Sequence, residues 1–278
     1  MIDRNRFALN RITSPSLSLA AFYDLAVSVG LKKVEIRNDL GKADPVDGLG
    51  AAAAAKLAAE RGLEVVTINA LQKFNLPSAR AKATAELKAL LELASGIGCK
   101  AIVLCPNNDG SDKRSAPERL ADTAQALADY APLFTKAGVA GYLEPLGFGI
   151  SSLASLAVAA EAIARSKAGC YKVVVDTFHF HIGPDSPEVF GTGFPIASAG
   201  LVHISGVELD MPKADYRDEH RVLVGPADRM KSKEQILRLE KLGYRGVYSF
   251  EPFSPLVQDL KGPALVSALK ASLDYLVS

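Results

Sequence analysis

Lys172-Val-Val-Val-Asp-Thr-Phe-His-Phe-His181 reads as the end of one structural unit and the start of the next. Three consecutive valines make a short β-branched run of the kind buried on both faces of a parallel sheet, and the run stops at Asp176. Moving outward, the same grammar recurs along the chain: a short apolar run, a polar or Gly/Pro loop, then a stretch of helical period. The strands expected from it are Phe7–Asn10, Lys33–Arg37, Glu64–Asn69, Ala101–Cys105, Gly141–Glu144, Lys172–Asp176, Leu201–Ser205 and Val247–Glu251. Amphipathic stretches fall between them at Leu17–Val29, Ala51–Arg61, Ser78–Ile97, Ala116–Ala137, Ser152–Arg165, Lys233–Leu242 and Leu260–Val277. Gly30, Gly62, Gly98, Gly138 and Gly243 each follow a helical stretch, where a left-handed C-cap residue is wanted.

Strands alternating with helices imply parallel pairing through right-handed crossovers. Eight such repeats, with no Gly-rich phosphate loop after the first strand, favour a closed (β/α)8 TIM barrel over a doubly wound open sheet. No linker or shift of composition divides residues 1–278, which read as a single domain. Helical patterning is weakest between His179 and Gly200. Gly206 to Lys231 forms a long charged loop, a length that in a compact barrel usually signals function.

Composition narrows the classes of partner. Apolar residues make up 49% of the 278, enough for a large core, and 32 basic residues against 31 acidic give a net charge of +1. That balance offers no electrostatic case for nucleic acid or an anionic membrane. No apolar run reaches the ~20 residues that span a bilayer, and the polar start MIDRNRFALN is unlike a signal peptide, so a cytoplasmic protein is expected. Three cysteines, an odd number with no CxxC pair, read as free buried thiols. The oligomeric state is left open, and a homo-oligomer is compatible with the sequence.

Chemistry in such a barrel belongs at the C-terminal ends of the strands. Four successive expected strands carry a strong metal ligand there: Glu144 in Tyr-Leu-Glu-Pro, Asp176, His203 in Leu-Val-His-Ile, and Glu251 in Ser-Phe-Glu-Pro. Singly, each acid reads equally well as a helix cap or ion pair, and His203 as a core histidine. Together, on neighbouring strands ~4.8 Å apart, they can converge on one ion. Each glutamate precedes a proline, which keeps it extended and lets its carboxylate aim over the barrel mouth. Three carboxylates and an imidazole suit one divalent ion per chain: Mn²⁺, Mg²⁺ or Co²⁺, with Zn²⁺ or Fe²⁺ also compatible. Around them, Glu35, Asn69, His179 and Arg221 form a second ring placed to meet a substrate, while His181 reads as a surface histidine.

These segments resemble the xylose isomerase-like barrel superfamily of sugar isomerases and epimerases, and within it the inosose (2-keto-myo-inositol) isomerases. The likeness spans Val-Glu-Ile-Arg37, Ile-Asn-Ala-Leu71, Leu-Glu144, Asp176-Thr-Phe-His-Phe-His, His203-Ile, Asp-Glu-His-Arg221-Val and Glu251. It implies that Glu144, Asp176, His203 and Glu251 hold the metal. It also implies that Glu144 and Glu251 shuttle a proton and that His179 and Arg221 contact substrate. Two departures stand out. The family's His-Ile-Asp-Asp reads His-Ile-Ser205-Gly206, and its Pro-Gly-x-Gly turn reads Val224-Gly225-Pro226-Ala227.

The reaction so implied moves a proton α to a carbonyl of an unphosphorylated sugar or cyclitol, through a metal-bound enediolate. Returning the proton to the neighbouring carbon isomerises, as in inositol catabolism or hydroxypyruvate isomerisation. Returning it to the opposite face of the same carbon gives a ketose 3-epimerase, and loss of a β-hydroxyl gives an inosose dehydratase. A non-catalytic polyol-binding barrel is the reading from another class. The branch of the superfamily that cuts abasic DNA fits poorly, since it uses a histidine-rich trinuclear site and this chain has four histidines.

Overall fold

In the computed structural model, which describes residues 2–41 and 44–278, eight parallel strands close on themselves in sequence order. They are β1 (Phe7–Asn10), β2 (Lys33–Arg37), β3 (Glu64–Leu71), β4 (Ala101–Leu104), β5 (Ala140–Leu143), β6 (Tyr171–Asp176), β7 (Ala199–Ile204) and β8 (Val247–Phe250). Closure comes from β1 pairing with β8, Leu9 opposite Phe250. Each expected strand is present, with no end shifted by more than two residues. The chain is a (β/α)8 TIM barrel.

An outer ring of helices covers the strands: α1 (Leu19–Val29), α2 (Ala51–Ala59), α3 (Arg80–Ile97), α4 (Ala116–Ala137), α5 (Leu156–Ser166), α6 (Thr177–Ile182), α7 (Val189–Thr192), α8 (Ser232–Lys241), α9 (Pro255–Gln258) and α10 (Gly262–Val277). The weak patterning after β6 corresponds to the short pair α6 and α7 rather than one full helix. Gly98 and Gly138 close α3 and α4 with φ of 74° and 66°, a region where a side chain on Cβ would be strained. Ser115 and Glu118 complete a capping box at the start of α4. None of the helices described is long and apolar enough to cross a membrane.

Strand alternation builds two cores. Val34, Ile36, Ile102, Leu104, Val173, Val175, Val202 and Ile204 face the helices and join the large outer cluster. Val103, Val174 and Leu201 face inward, with Tyr142 and Val247 packed against them, and fill the lower barrel. Two residues further along those strands the inward positions become Glu144, Asp176, His203 and, past Ser249, Glu251. A dry apolar layer therefore floors a polar one at the C-terminal mouth.

Candidate metal centre

Glu144 and Glu251 lie one residue past the ends of β5 and β8, yet their amides still donate to Leu104 and Ile204 carbonyls at 3.0 and 2.9 Å. The ladder thus holds each glutamate extended up to the proline that ends it. Asp176 ends β6 opposite His203 in the ladder. Its Oδ1 caps α6 by accepting from the Phe178 and His179 amides at 2.7 and 2.9 Å, which leaves Oδ2 directed at the cluster. The cap uses one oxygen of Asp176 and leaves the other facing the cluster.

The four side chains each offer one ligand atom, and those atoms lie within 4.8 Å of one another. Donors held ~2.0–2.2 Å from a common ion stand at most about 4.4 Å apart, so the cluster is already near that spread. His203 Nδ1 is 2.6 Å from Glu144 Oε1, 3.2 Å from Glu251 Oε2 and 4.0 Å from Asp176 Oδ2. None of the four residues is more than 4% exposed. The ring nitrogen that faces the three acids is Nδ1, while Nε2 faces Glu35 Oε2 at 3.1 Å.

Two arginines border the cluster. Arg37 Nη1 donates to Glu251 Oε1 at 2.8 Å and forks its other edge onto Asp39. Arg221 Nη2 donates to Asp176 Oδ2 at 2.6 Å and Glu251 Oε2 at 2.9 Å. Its guanidinium lies between Phe178 and Phe253, 5.0 and 4.6 Å from their ring centres. Four buried carboxylates (Glu35, Glu144, Asp176, Glu251) face two buried guanidiniums and the His203 imidazole, leaving an excess of negative charge that a divalent ion would offset. With an oxygen-rich donor set at suitable spacing, the residues fit a divalent metal.

The electrostatics follow from this packing. Burial alone would raise the Glu251 carboxyl, but His203, Arg221 and Arg37 outweigh it and hold it at about 2. Burial, with Glu251 beside it, keeps Asp176 above the ordinary aspartate range despite Arg221. His203 lies well above the ordinary histidine range, because Glu251, Glu35 and Glu144 together overcome its desolvation.

The outer ring divides. His179 sits on α6 with its ring edge-on to Phe148 and Phe178, and burial with Arg221 nearby lowers it to about 4, so the imidazole is neutral. Its Nδ1 is buried without a hydrogen-bond partner, as is Asn69 Oδ1. Two such atoms beside a polar cluster mark where ligand hydroxyls could bond. Arg221, expected to meet substrate, bonds to Asp176 and Glu251 within the cluster. Glu35, expected to meet substrate, is instead sealed beneath His203 at 0% exposure. His181 is half-buried beside Tyr216 rather than on the surface.

Asn10 at the end of β1 had drawn no notice, yet its amide nitrogen stands 3.2 Å from both Glu35 Oε1 and Glu251 Oε1. Its strand-end position was the available signal. The two departures are absorbed locally. Ser205 Oγ accepts from Arg221 Nε at 3.1 Å, and Gly206 bridges to Val222 with paired bonds of 2.7 and 2.8 Å. The turn at Val224–Ala227 closes by the Asp228 amide on the Gly225 carbonyl at 3.0 Å. Beyond the cluster, a cleft of about 960 Å³ opens between Phe148, Ile182, Tyr216 and Asp218.

The model of the family described as xylose isomerase-like TIM barrel matches residues 23–276. A xylose isomerase domain containing protein from Salmonella typhimurium LT2 is 36% identical, with a TM-score of 0.93 and coverage of 100% of this chain and 99% of that one. The chain belongs to the xylose isomerase-like TIM barrel family. More distant proteins of known structure share its fold. The IolI protein, crystallised with a zinc atom, is 21% identical with a TM-score of 0.87 and 98% of each chain covered. A D-psicose 3-epimerase from Clostridium cellulolyticum H10 is 17% identical with a TM-score of 0.77, again over 98% of each chain. No curated protein matches the chain significantly by sequence.

Proposed function

We propose that this barrel is a divalent-metal-dependent isomerase of an unphosphorylated keto-polyol or sugar, of the inosose isomerase kind. The observation that carries the reading is the convergence of Glu144, Asp176, His203 and Glu251 on one point, with two glutamates among them. A bound ion would supply Lewis-acid polarisation of a substrate carbonyl and its neighbouring hydroxyl. The glutamates would move the proton between carbons, work typically worth ~10²–10⁴-fold. They are not equivalent. Glu251 is held by Arg37, Arg221 and Asn10, whereas Glu144 Oε2 meets only the weak Cys105 thiol, 3.7 Å away, among the described residues. Glu144 is the less encumbered base.

His179 Nδ1 and Asn69 Oδ1 supply an unused donor or acceptor and an acceptor for substrate hydroxyls. Phe148 and Phe253, both partly exposed, give apolar surface against which a ring can rest. The test is a screen of inososes and free ketoses with metal-loaded enzyme in deuterated water, read by NMR. Deuterium entering at the carbon beside the carbonyl, with the carbonyl moved, supports an isomerase. Exchange with inversion at one carbon indicates a 3-epimerase, loss of water a dehydratase. No exchange in any candidate, with metal bound, would leave a binding barrel.

A further inference from the structure

Glu35 presents a problem of burial. It points into the barrel from the middle of β2, is 0% exposed, and carries a charge that is costly to bury without compensation. Its carboxylate is surrounded by donors. Oε1 accepts from Asn10 Nδ2 at 3.2 Å, and Oε2 accepts from Asn69 Nδ2 at 2.9 Å and from the Thr67 hydroxyl. A further partner is His203 Nε2 at 3.1 Å. Among the described residues neither a lysine nor an arginine bonds to it. This last contact is not one between neighbouring strands: β2 and β7 are separated by β1 and β8, so Glu35 reaches across the lumen.

We propose that Glu35 is the positioning carboxylate of His203, holding its Nε2 as the N–H and turning the Nδ1 lone pair toward the metal. A neutral imidazole carries one proton for two nitrogens. A proton on Nδ1 would set the Nε2 lone pair against a carboxylate oxygen and aim N–H at the ion site, a double loss. With the proton on Nε2, both nitrogens face complementary groups, and the ring is fixed at both ends. Partners of this kind typically contribute 10–100-fold to metal affinity. This inference rests on the metal reading proposed above, though not on any particular substrate.

The experiment loads wild type, Glu35→Gln and Glu35→Ala with Zn²⁺, measures affinity by competition with a chromophoric chelator, and records ¹⁵N histidine NMR of the wild type. With only four histidines in the chain, the ring signals are assignable by single replacement. We expect Zn²⁺ affinity to fall about 10–100-fold in folded variants, and His203 to show a protonated Nε2 and a metal-bound Nδ1. Affinity within threefold of wild type, or a proton on Nδ1, overturns the assignment, and the wild-type spectrum decides it should the variants fail to fold. Wild type that binds no Zn²⁺ removes the metal reading and this inference together. Wild type that binds Zn²⁺ through Nδ1 but turns over no substrate removes the proposed activity and leaves the role of Glu35 standing.

Discussion

Arg221 and Asp176 form a sealed ion pair at the barrel mouth, Nη2 to Oδ2 at 2.6 Å, and the same nitrogen also serves Glu251 at 2.9 Å. One guanidinium corner is thus shared by two candidate ligands. Replacing Arg221 by Met keeps a stem between Phe178 and Phe253 but strips two buried carboxylates of their partner. Breaking a buried pair from one side costs about 3–5 kcal/mol. We expect a loss of that size in urea unfolding without metal, with part of it recovered when Zn²⁺ saturates the site and supplies the missing charge. An Arg221→Met protein as stable as wild type, or unaffected by Zn²⁺, contradicts this account.

The same charge deficit predicts metal content. Gently purified protein should carry about one divalent ion per chain by elemental analysis. Adding Zn²⁺, Mn²⁺ or Co²⁺ to chelator-treated protein at 100 times Kd should stabilise it by about 2.7 kcal/mol. For a chain of this size that is a rise in Tm of roughly 5 °C. Protein with no ion and no thermal response to any of the three would sink the central claim.

Much of this site was legible in the sequence because its determinants are local. A proline after Glu144 and after Glu251 marks where an extended strand must stop, and alternation from Val174 or Leu201 places Asp176 or His203 on the inner face. Gly30, Gly62, Gly98, Gly138 and Gly243, marked as C-caps, all have positive φ. What escaped depends on closure. The contact of Glu35 with His203 joins residues 168 positions apart across the lumen, and no local pattern reports how far an inward side chain reaches. Asn10 likewise acquires its role only when β1 meets β8. The Ser205 departure looked like a lost acid, but a hydroxyl suffices to accept from Arg221 Nε.

Glu144→Gln and Glu251→Gln preserve shape while removing the basic oxygen. Each should keep the fold, by circular dichroism and a cooperative unfolding transition, and reduce turnover by ~10²–10⁴-fold. Glu251→Gln should also be the less stable variant, since Arg37 and Arg221 both lose a charged acceptor. Either variant turning over the true substrate at near wild-type rate refutes the shuttle.

Gly147 follows Glu144 by three residues and meets α6 at a separation that excludes a side chain. A Cβ there would lie 2.1 Å from the His179 carbonyl oxygen and 2.8 Å from the Gly183 nitrogen, both backbone atoms. Gly147→Ala must therefore move α6, with Asp176 at its cap and His179 in its first turn. We expect a stability loss of about 1–3 kcal/mol and a raised KM, from His179 displaced relative to the cluster. An alanine variant with wild-type stability and KM would show that α6 does not fix these groups.

The three thiols predict an alkaline response. Burial pushes Cys99 up to about 12, lifts Cys105, with Glu144 adding to it, well above the usual thiol range, and raises Cys170. Alkylation proceeds through the thiolate, so Cys99 at pH 8 should react roughly 10³-fold more slowly than a free thiol near 8.5. Iodoacetamide followed by mass analysis should find Cys99 and Cys105 unmodified in the native protein and all three modified in urea. The sign for stability follows from the same shift. Above about pH 8.5 the unfolded chain loses these protons while the folded one keeps them, so stability falls as pH rises toward the folded value. Cys99→Ala should be less stable at neutral pH because of its cavity, but its decline between about pH 9 and 10.5 should be shallower than that of wild type. Parallel declines would mean that the Cys99 proton is not retained on folding.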